Sequence, residues 1–307
     1  MFPVLPEGVR ADVRVPASSA NLGAGFDSLG IALDIYDDLS VRVTPSGVRV
    51  EVDGEGADAV PLDDTHLVVR ALLRGLEAGG VRAPGLEIVC RNAIPHSRGL
   101  GSSAAAVVSG LAAASGLMAK SGVRQGFSPD QMIQLASEFE GHPDNASASV
   151  LGSAVVSWIE DTDGAPAYHA RRLTVHPAIA VTAFVPRVES STALTRGLLP
   201  DAVPRADAVH NLSRSALAVV ALTTDPSCLL PATADRLHQH HRAPVLPDTT
   251  TIVAELRSRG VAAFVSGAGP SVLALHERPI PPESVEVAAG VGFTARALRV
   301  AGPVSIT

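Results

Sequence analysis

The sequence predicts an α+β fold divided between two layered domains, and three observations support this prediction. The chain has 307 residues, which is more than one hydrophobic core usually holds. Hydrophobic residues make up 46% of it and charged residues 18%, a composition typical of folded proteins. Segments with strand-like alternation and segments with helical periodicity occur in both halves, which favours layers of sheet and helix.

The first half begins with strands. Alternating apolar residues between turn residues predict strands over residues 12–15, 40–43 and 48–52. Five apolar residues on one face predict a helix over residues 65–78. The short apolar run at 86–90 predicts another strand.

Two further helices are predicted in this half. Residues 102–119 consist mainly of Ala, Ser and Gly and are only just long enough to span a bilayer. Because this segment has few large side chains, we expect a buried helix and not a membrane span. Ser128 and Gln131 form a capping box around Pro129, which predicts a helix that ends near Gly141.

The second half of the chain contains the expected domain boundary and five further predicted elements. The turn at 161–164 is the expected boundary between an N-terminal domain, residues 1–163, and a C-terminal domain, residues 164–307. Periodicity and turn residues predict strands at 179–185, 262–265 and 272–275 and helices at 208–222 and 249–259.

Composition excludes several classes of function. A net charge of −7 and an aromatic content of 3% argue against a nucleic-acid groove. The only lysine is Lys120, so a Walker A loop is absent. Cys90 and Cys228 are too few for a cysteine-rich zinc cluster or a disulfide framework, and no secretory signal is visible. We therefore expect a cytoplasmic protein with no nucleic-acid or membrane partner.

The strongest local motif lies between the strand at 86–90 and the alanine-rich helix. Glycines let a ligand approach the backbone, and the N–H groups and positive dipole end of a helix suit phosphate. The segment therefore predicts a phosphate-binding loop, with these residues as candidates: Pro95, His96, Ser97, Arg98, Gly99, Leu100, Gly101, Ser102, Ser103, Ala104 and Ala105.

Two other interpretations of this loop compete with a nucleoside triphosphate site. Gly99, Gly101 and Ala104 also fit the dinucleotide fingerprint, but that site needs an acidic residue about 20 residues further on. No Asp or Glu occurs between Gly101 and Pro129, which disfavours a nicotinamide site. A glycine turn that only allows tight packing remains an alternative.

Two more Gly/Ser segments, residues 17–28 and 266–271, flank the loop in sequence. Together, and in this order, the three segments resemble the signature of the GHMP kinases, which include galactokinase, homoserine kinase, mevalonate kinase and phosphomevalonate kinase. This resemblance implies an N-terminal α+β domain that carries the phosphate loop and a C-terminal ferredoxin-like α/β sandwich. The active site is expected between the two domains.

Further segments resemble the homoserine kinases within this superfamily: residues 15–30, 140–145, 191–196 and 238–242. The resemblance implies ATP- and Mg²⁺-dependent phosphorylation of the L-homoserine hydroxyl to O-phospho-L-homoserine, a step toward threonine. A GHMP kinase for another small alcohol and a catalytically silent metabolite-binding homologue remain alternatives. A homodimer is the default expectation for such an enzyme.

The resemblance also implies roles for individual residues in substrate binding. Arginine binds carboxylates in a bidentate manner, so Arg196 and Arg242 are expected to bind the homoserine carboxylate. Asp27 is expected to pair with the ammonium. Asn21 and Asn145 are expected to hydrogen-bond to the polar atoms of homoserine.

Glu140, with Ser102 or Ser103, is expected to hold Mg²⁺, because this hard cation takes oxygen ligands. The implied chemistry is in-line attack of the hydroxyl on the γ-phosphoryl group, and Asp27 and Asp144 are the candidates for a general base, with neither assigned.

Sequence position alone favours ordinary structural roles, without a ligand, for the same residues. Asp27 and Asn145 could cap helices, and Glu140, Arg196 and Arg242 could be surface residues. His238, His240 and His241 are expected to be surface residues and not metal ligands. One departure from the family pattern is His66, which stands where these kinases usually have an asparagine near the adenine.

Overall fold

A computed structural model describes residues 2–162, 164–190 and 195–307. The strands are β1 (Arg10–Ala20), β2 (Leu29–Thr44), β3 (Gly47–Gly54), β4 (Gly85–Asn92), β5 (Ala154–Thr162), β6 (Ala165–Leu173), β7 (Ala180–Pro186), β8 (Ala262–Val265), β9 (Val272–His276), β10 (Phe293–Leu298) and β11 (Ser305–Ile306). The helices are α1 (Leu67–Ala78), α2 (Ser102–Ser121), α3 (Pro129–Glu140), α4 (Asp144–Leu151), α5 (Arg205–Thr223), α6 (Leu229–Ala232), α7 (Gln239–Arg242), α8 (Pro247–Ser258) and α9 (Pro282–Gly290).

The larger sheet has the strand order β11-β1-β2-β4-β3, and β5 and β6 extend it from β2. All of its pairs are antiparallel except β3 with β4. Helix α2 packs against β1 and α1. A side chain at Gly110 would clash with the Val68 carbonyl, so the small residues of α2 allow the two helices to approach closely. This packing buries the alanine-rich helix in the core.

The smaller sheet has the order β10-β7-β9-β8 and is antiparallel throughout. With α8 after β7 and α9 after β9, its chain order is strand, helix, strand, strand, helix, strand, which is the ferredoxin-like topology. Phe184, Ile252 and Leu256 are fully buried between sheet and helix. The prediction of a two-domain α+β fold with a ferredoxin-like C-terminal part is therefore confirmed.

The capping box and the buried helix are also confirmed. The Ser128 hydroxyl accepts from the Gln131 N–H at 3.2 Å, and the Gln131 side chain accepts from the Ser128 N–H at 2.9 Å. Helix α2 is the one helix of the described residues that is long and apolar enough to cross a membrane, yet 78% of its most apolar window is buried within the protein.

The sequence did not predict the structure around the expected domain boundary. The turn at 161–164, of which Asp163 lies outside the described residues, joins β5 to β6, and these strands pair from Ala154 with Leu173 to Thr162 with Ala165. The change of sheet falls between Leu173 and Ala180, beyond the predicted boundary at 163. Helix α4 follows Pro143, in a segment for which the sequence patterns above predict no element, and Pro143, not Asn145, is its N-cap.

Candidate active site

The three Gly/Ser segments lie together at the start of α2. The Ser266 hydroxyl donates to the Gly99 carbonyl at 2.6 Å and lies 2.8 Å from the Ser19 hydroxyl. The Ser18 N–H donates to the Leu100 carbonyl at 3.1 Å. These bonds join β1, the loop before α2 and the turn before β9, so segments far apart in sequence form one wall of a cleft.

Gly99 and Gly101 are required by this arrangement. Both have φ above +70°, and a side chain at Gly101 would clash with the Ser18 hydroxyl, while one at Gly99 would clash with the Ser266 carbonyl. Gly101 is the N-cap of α2 and offers no side-chain cap to it. The first N–H groups of the helix, which have no intrahelical acceptor, are therefore available to an anion at the cleft.

The predicted loop residues divide into three groups. Those that line the cleft are His96, Ser97, Gly99, Gly101, Ser102 and Ser103. Those that are buried below it are Pro95, Leu100, Ala104 and Ala105. Arg98 instead donates to the carbonyls of Pro186 at 3.1 Å and Arg187 at 2.9 Å, so it ties the loop to the end of β7.

Glu140 ends α3 and faces this loop. Its Oε2 is buried and has no hydrogen-bond partner among the described residues. Burial, followed by the charge of Asp144, raises the pKa of this carboxyl, whereas His142 and the Ser103 hydroxyl lower it. A desolvated carboxylate that has one unpartnered oxygen and lies beside a hydroxyl is a donor set that suits a hard divalent cation.

His142 and Asp144 form an ion pair next to Glu140 that the sequence analysis did not identify. Asp144 is buried, and its Oδ1 lies 2.8 Å from His142 Nδ1, while its Oδ2 has no partner among the described residues. Burial alone would lower the pKa of His142, but the hydrogen bond and charge of Asp144, with Glu140 and Asp27, raise it to about 9. His142 is therefore a cation at neutral pH.

Asp27 adds a second ion pair beside His142 and Asp144, since ligand atoms of these three residues all lie within 4.8 Å of one another. Asp27 has a left-handed backbone, and its carboxylate pairs with both terminal nitrogens of Arg196, one of them at 3.3 Å. The two groups that the sequence assigned to different ends of an amino acid are thus each other's partners. Ser191 and Thr192 of the predicted amino-acid-binding segment lie outside the described residues.

The two predicted asparagines differ in their contacts. The Asn21 amide donates to the Gly267 carbonyl at 2.8 Å and accepts from the Asp27 N–H at 3.0 Å. Asn21 therefore shapes the backbone that carries Asp27, a role the sequence analysis did not foresee. Asn145 lines the cleft near the phosphate loop, and its Oδ1 accepts from the Ser18 hydroxyl at 3.0 Å.

Arg242 and His238 are buried, with exposed fractions of 2% and 0%. The expectation of a surface histidine at 238 is therefore wrong, because the four-residue helix α7 is packed inside the cleft wall. Burial, and then the charge of Arg196, lower the pKa of Arg242, which still remains a cation at neutral pH. The Phe26 ring lies 5.6 Å from the Arg196 guanidinium and 5.8 Å from that of Arg242.

The remaining part of the cleft is lined by His66 and Asp37. His66 caps α1, with Nδ1 accepting from the Val68 N–H at 3.2 Å, and burial lowers its pKa, so the ring is neutral and Nε2 carries the proton. Burial raises the pKa of Asp37 to about 6 despite two backbone N–H donors. The whole cavity measures about 560 Å³, the size of a nucleotide or drug-sized ligand site.

Comparisons with known proteins agree with this geometry. The family described as "GHMP kinases N terminal domain" matches residues 66–153, and "GHMP kinases C terminal" matches residues 221–290. The chain is 63% identical to the homoserine kinase of Rhodococcus opacus, with 92% of each chain covered, and 57% identical to that of Rhodococcus erythropolis, with 99% and 98% covered. The crystal structure of homoserine kinase from Cytophaga hutchinsonii superposes with a TM-score of 0.82 at 25% identity, covering 97% of this chain and 98% of that one. The chain therefore belongs to the homoserine kinases of the GHMP kinase superfamily.

Proposed function

We propose that this chain transfers the γ-phosphoryl group of ATP to the hydroxyl of L-homoserine in the cleft described above. The observation that supports this most is the charge layout of the cleft. One end presents backbone donors at the start of α2, and the other end presents Asp27, Arg196 and Arg242 around one aromatic ring. A zwitterionic amino acid needs both signs of charge at one end and a phosphoryl donor at the other.

Substrate binding is proposed to replace the Asp27–Arg196 ion pair with two new pairs. The ammonium of homoserine pairs with Asp27, and the carboxylate pairs with Arg196 and Arg242. Asp27 exchanges a guanidinium partner for an ammonium, and Arg196 exchanges one carboxylate partner for another. No charge is therefore left unpaired. Each charge-assisted contact contributes about 1.5 to 3 kcal/mol when water is excluded. Mevalonate has no ammonium and would leave Asp27 without a partner.

The phosphates of ATP are proposed to lie at the N–H groups of Ser102 and Ser103, with Gly99 and Gly101 allowing close approach. Glu140, with the hydroxyl of Ser102 or Ser103, would hold Mg²⁺ there. The bound ion neutralises negative charge on the phosphate oxygens. The unpartnered Oε2 of Glu140 supports this assignment.

Catalysis is proposed to rest on positioning and charge and not on a strong base. Asp144 shares its Oδ1 with a protonated His142, and Asp27 is in an ion pair, so each is a poor proton acceptor. The His142 cation adds positive charge beside Glu140, in a cleft whose phosphate loop has no lysine. In-line attack on a loose transition state needs mainly such positioning and neutralisation.

The substrate is tested by a coupled ADP-release assay with homoserine, mevalonate, galactose and shikimate. We expect turnover with homoserine and Mg·ATP and none above background with the other three. Turnover of another alcohol in preference to homoserine would refute the proposal that homoserine is the substrate. A response to none of them, with homoserine binding intact in calorimetry, would favour a silent binding protein.

A cytoplasmic homodimer completes the proposal. Helix α5 exposes Val209, Leu212 and Val220 along one side, and an apolar stripe of this kind supports pairing of two copies. Light scattering is expected to give twice the mass of one chain, and Leu212→Asp is expected to lower that mass. A monomer at micromolar concentration would contradict the dimer.

A further inference from the structure

The guanidinium of Arg242 is held by neutral acceptors on three sides. Its Nε donates to the Thr195 carbonyl at 3.4 Å. One terminal nitrogen donates to the Gly267 carbonyl at 3.0 Å and to His238 Nδ1, also at 3.0 Å. None of these bonds uses the second terminal nitrogen. With the side chain lining the cleft, this arrangement fixes the plane of the guanidinium and leaves donors for a ligand.

His238 is the only side chain among these three acceptors, and its tautomer is set from its other side. Its Nε2 lies 2.8 Å from the Gly23 carbonyl, which can only accept, so Nε2 carries the proton. Nδ1 is then free to accept from Arg242. Burial lowers the pKa of His238, followed by smaller and opposing effects of Asp235 and Arg242, so the neutral ring is retained at physiological pH.

The backbone around His238 is fixed by Asp235. This carboxylate accepts from the N–H groups of Leu237 at 2.9 Å, His238 at 3.1 Å and Gln239 at 2.8 Å. It also accepts from the Asn211 amide at 2.8 Å. Four donors to one buried carboxylate leave the segment that carries His238 little freedom.

Gly23 belongs to the N-terminal loop that carries Asp27. It has φ of +78°, and a side chain there would clash with the Thr233 carbonyl, so only glycine allows this approach of the two segments. His238 thus connects the loop of Asp27 with Arg242 through two hydrogen bonds of one ring. The Phe26 ring lies 5.3 Å from the His238 ring and 5.8 Å from the Arg242 guanidinium, so it contacts the same group of side chains.

We propose that His238 is a positioning residue for substrate binding, which fixes Arg242 relative to the Asp27 loop and so sets the distance between the carboxylate-binding and ammonium-binding groups. This inference rests on the proposed function, because it takes Arg242 as a ligand of the homoserine carboxylate. His238 itself acts only through Arg242 and does not contact the substrate.

The test compares two substitutions that each keep one half of the ring's function. In His238→Asn the amide oxygen takes the place of Nδ1 and can still accept from Arg242. In His238→Gln the amide nitrogen takes the place of Nε2 and can still donate to Gly23, but the acceptor for Arg242 is lost. We expect His238→Gln to raise the KM for homoserine about tenfold and His238→Asn about threefold, with the KM for ATP within twofold of the parent in both.

Homoserine affinity is also measured directly by calorimetry, and unfolding midpoints are recorded for both variants. The dissociation constant should rise in the same order as KM. Equal effects of the two substitutions, a parallel rise in the KM for ATP, or unchanged homoserine binding would overturn the inference. If His238→Gln does not fold, His238→Asn decides alone, since an unchanged homoserine KM in that variant contradicts a positioning role.

The substitution Arg242→Gln separates this inference from the proposed function. If Arg242→Gln leaves homoserine affinity unchanged, the role proposed for Arg242 fails. If Arg242→Gln weakens binding but His238→Gln does not, only the inference about His238 fails. In the Arg242→Gln background, His238→Gln should change homoserine KM by less than twofold, because the group it positions is gone. A full tenfold further effect would contradict coupling through Arg242.

Discussion

The two regions of the cleft that are proposed to bind phosphate and homoserine, the phosphate end and the amino-acid end, differ in what they offer a ligand. The phosphate end consists of backbone and small side chains: Gly99, Gly101 and the first turn of α2 present N–H groups that no side chain caps. The amino-acid end consists of long charged side chains, and Asp27 and Arg196 there already satisfy each other. The phosphate end therefore depends on chain geometry, whereas the other end depends on side-chain chemistry. Substitutions at the two ends should fail in different ways.

The largest effect is expected at the phosphate end, from Gly101→Ala. The added methyl group would meet the Ser18 hydroxyl, and the left-handed backbone costs a further 1 kcal/mol or so. We expect kcat/KM for ATP to fall by at least about 100-fold. Gly122→Ala is the matched control, since Gly122 ends the same helix with φ of +70° but has open space around it. Equal losses of kcat/KM in both variants would show that backbone strain, and not damage to the phosphate-binding loop, is responsible.

The next largest effect is expected from Glu140→Gln, which keeps the shape of the side chain but removes its charge. If Glu140 holds Mg²⁺, kcat should fall about 100-fold and the magnesium concentration for half-maximal rate should rise. The fold should persist, because a buried charge with a raised pKa is costly to the native state. Glu138→Gln, on the exposed side of the same helix, should leave both quantities unchanged. Full activity of Glu140→Gln at low magnesium would remove Glu140 from the metal site.

At the amino-acid end, Arg196→Lys should act on one substrate only. Lysine keeps the charge but not the bidentate geometry toward Asp27 or a carboxylate. We expect the KM for homoserine to rise about tenfold and the KM for ATP to stay within twofold. Steady-state kinetics with each substrate varied in turn measure both values. Unchanged homoserine kinetics would exclude Arg196 from the site, and an equal change for ATP would remove the contrast between the two ends.

The smallest effect is expected between the two ends, where His142 pairs with Asp144. The folded-state pKa of His142 is raised from 6.5 to about 9. The pair therefore contributes its full stabilisation below about pH 6.5 and loses it as the pH rises through about 9, an effect on the order of 2 kcal/mol. Denaturant unfolding of the parent and of His142→Gln between pH 6.5 and 10 should show this difference shrinking with pH. A difference that grows with pH would contradict the ion pair.

The sequence predicted the glycine-rich loop before α2 better than it predicted the contacts of Asp27 and Arg196, and the reason is physical. A glycine that needs a left-handed backbone before a helix is a local requirement, so Gly99 and Gly101 could be read from their neighbours. The pairing of Asp27 with Arg196, and the contact of His238 with Gly23, join segments more than 150 residues apart. Local patterns do not specify such contacts, and only the family resemblance pointed to Asp27 and Arg196.

The same distinction explains the errors in the fold. The capping box of α3 is a local signal and was predicted. Helix α4 was not predicted, because Pro143 and the polar residues after it do not form a helical pattern. The hairpin of β5 and β6 was read as a domain boundary because an Asp- and Gly-rich turn has the same composition in both settings. His238 was placed on the surface because a four-residue helix is too short for periodicity to reveal which side is buried.

The return of β11 to the larger sheet has a mechanical consequence. The chain leaves that sheet after β6, builds the smaller sheet, and comes back to pair Val13 with Ile306. The two bodies are thus tethered by two covalent connections instead of one. A single connection would hold the smaller sheet to the larger one from one side only, whereas two connections hold it from both sides of a buried core that the two sheets share.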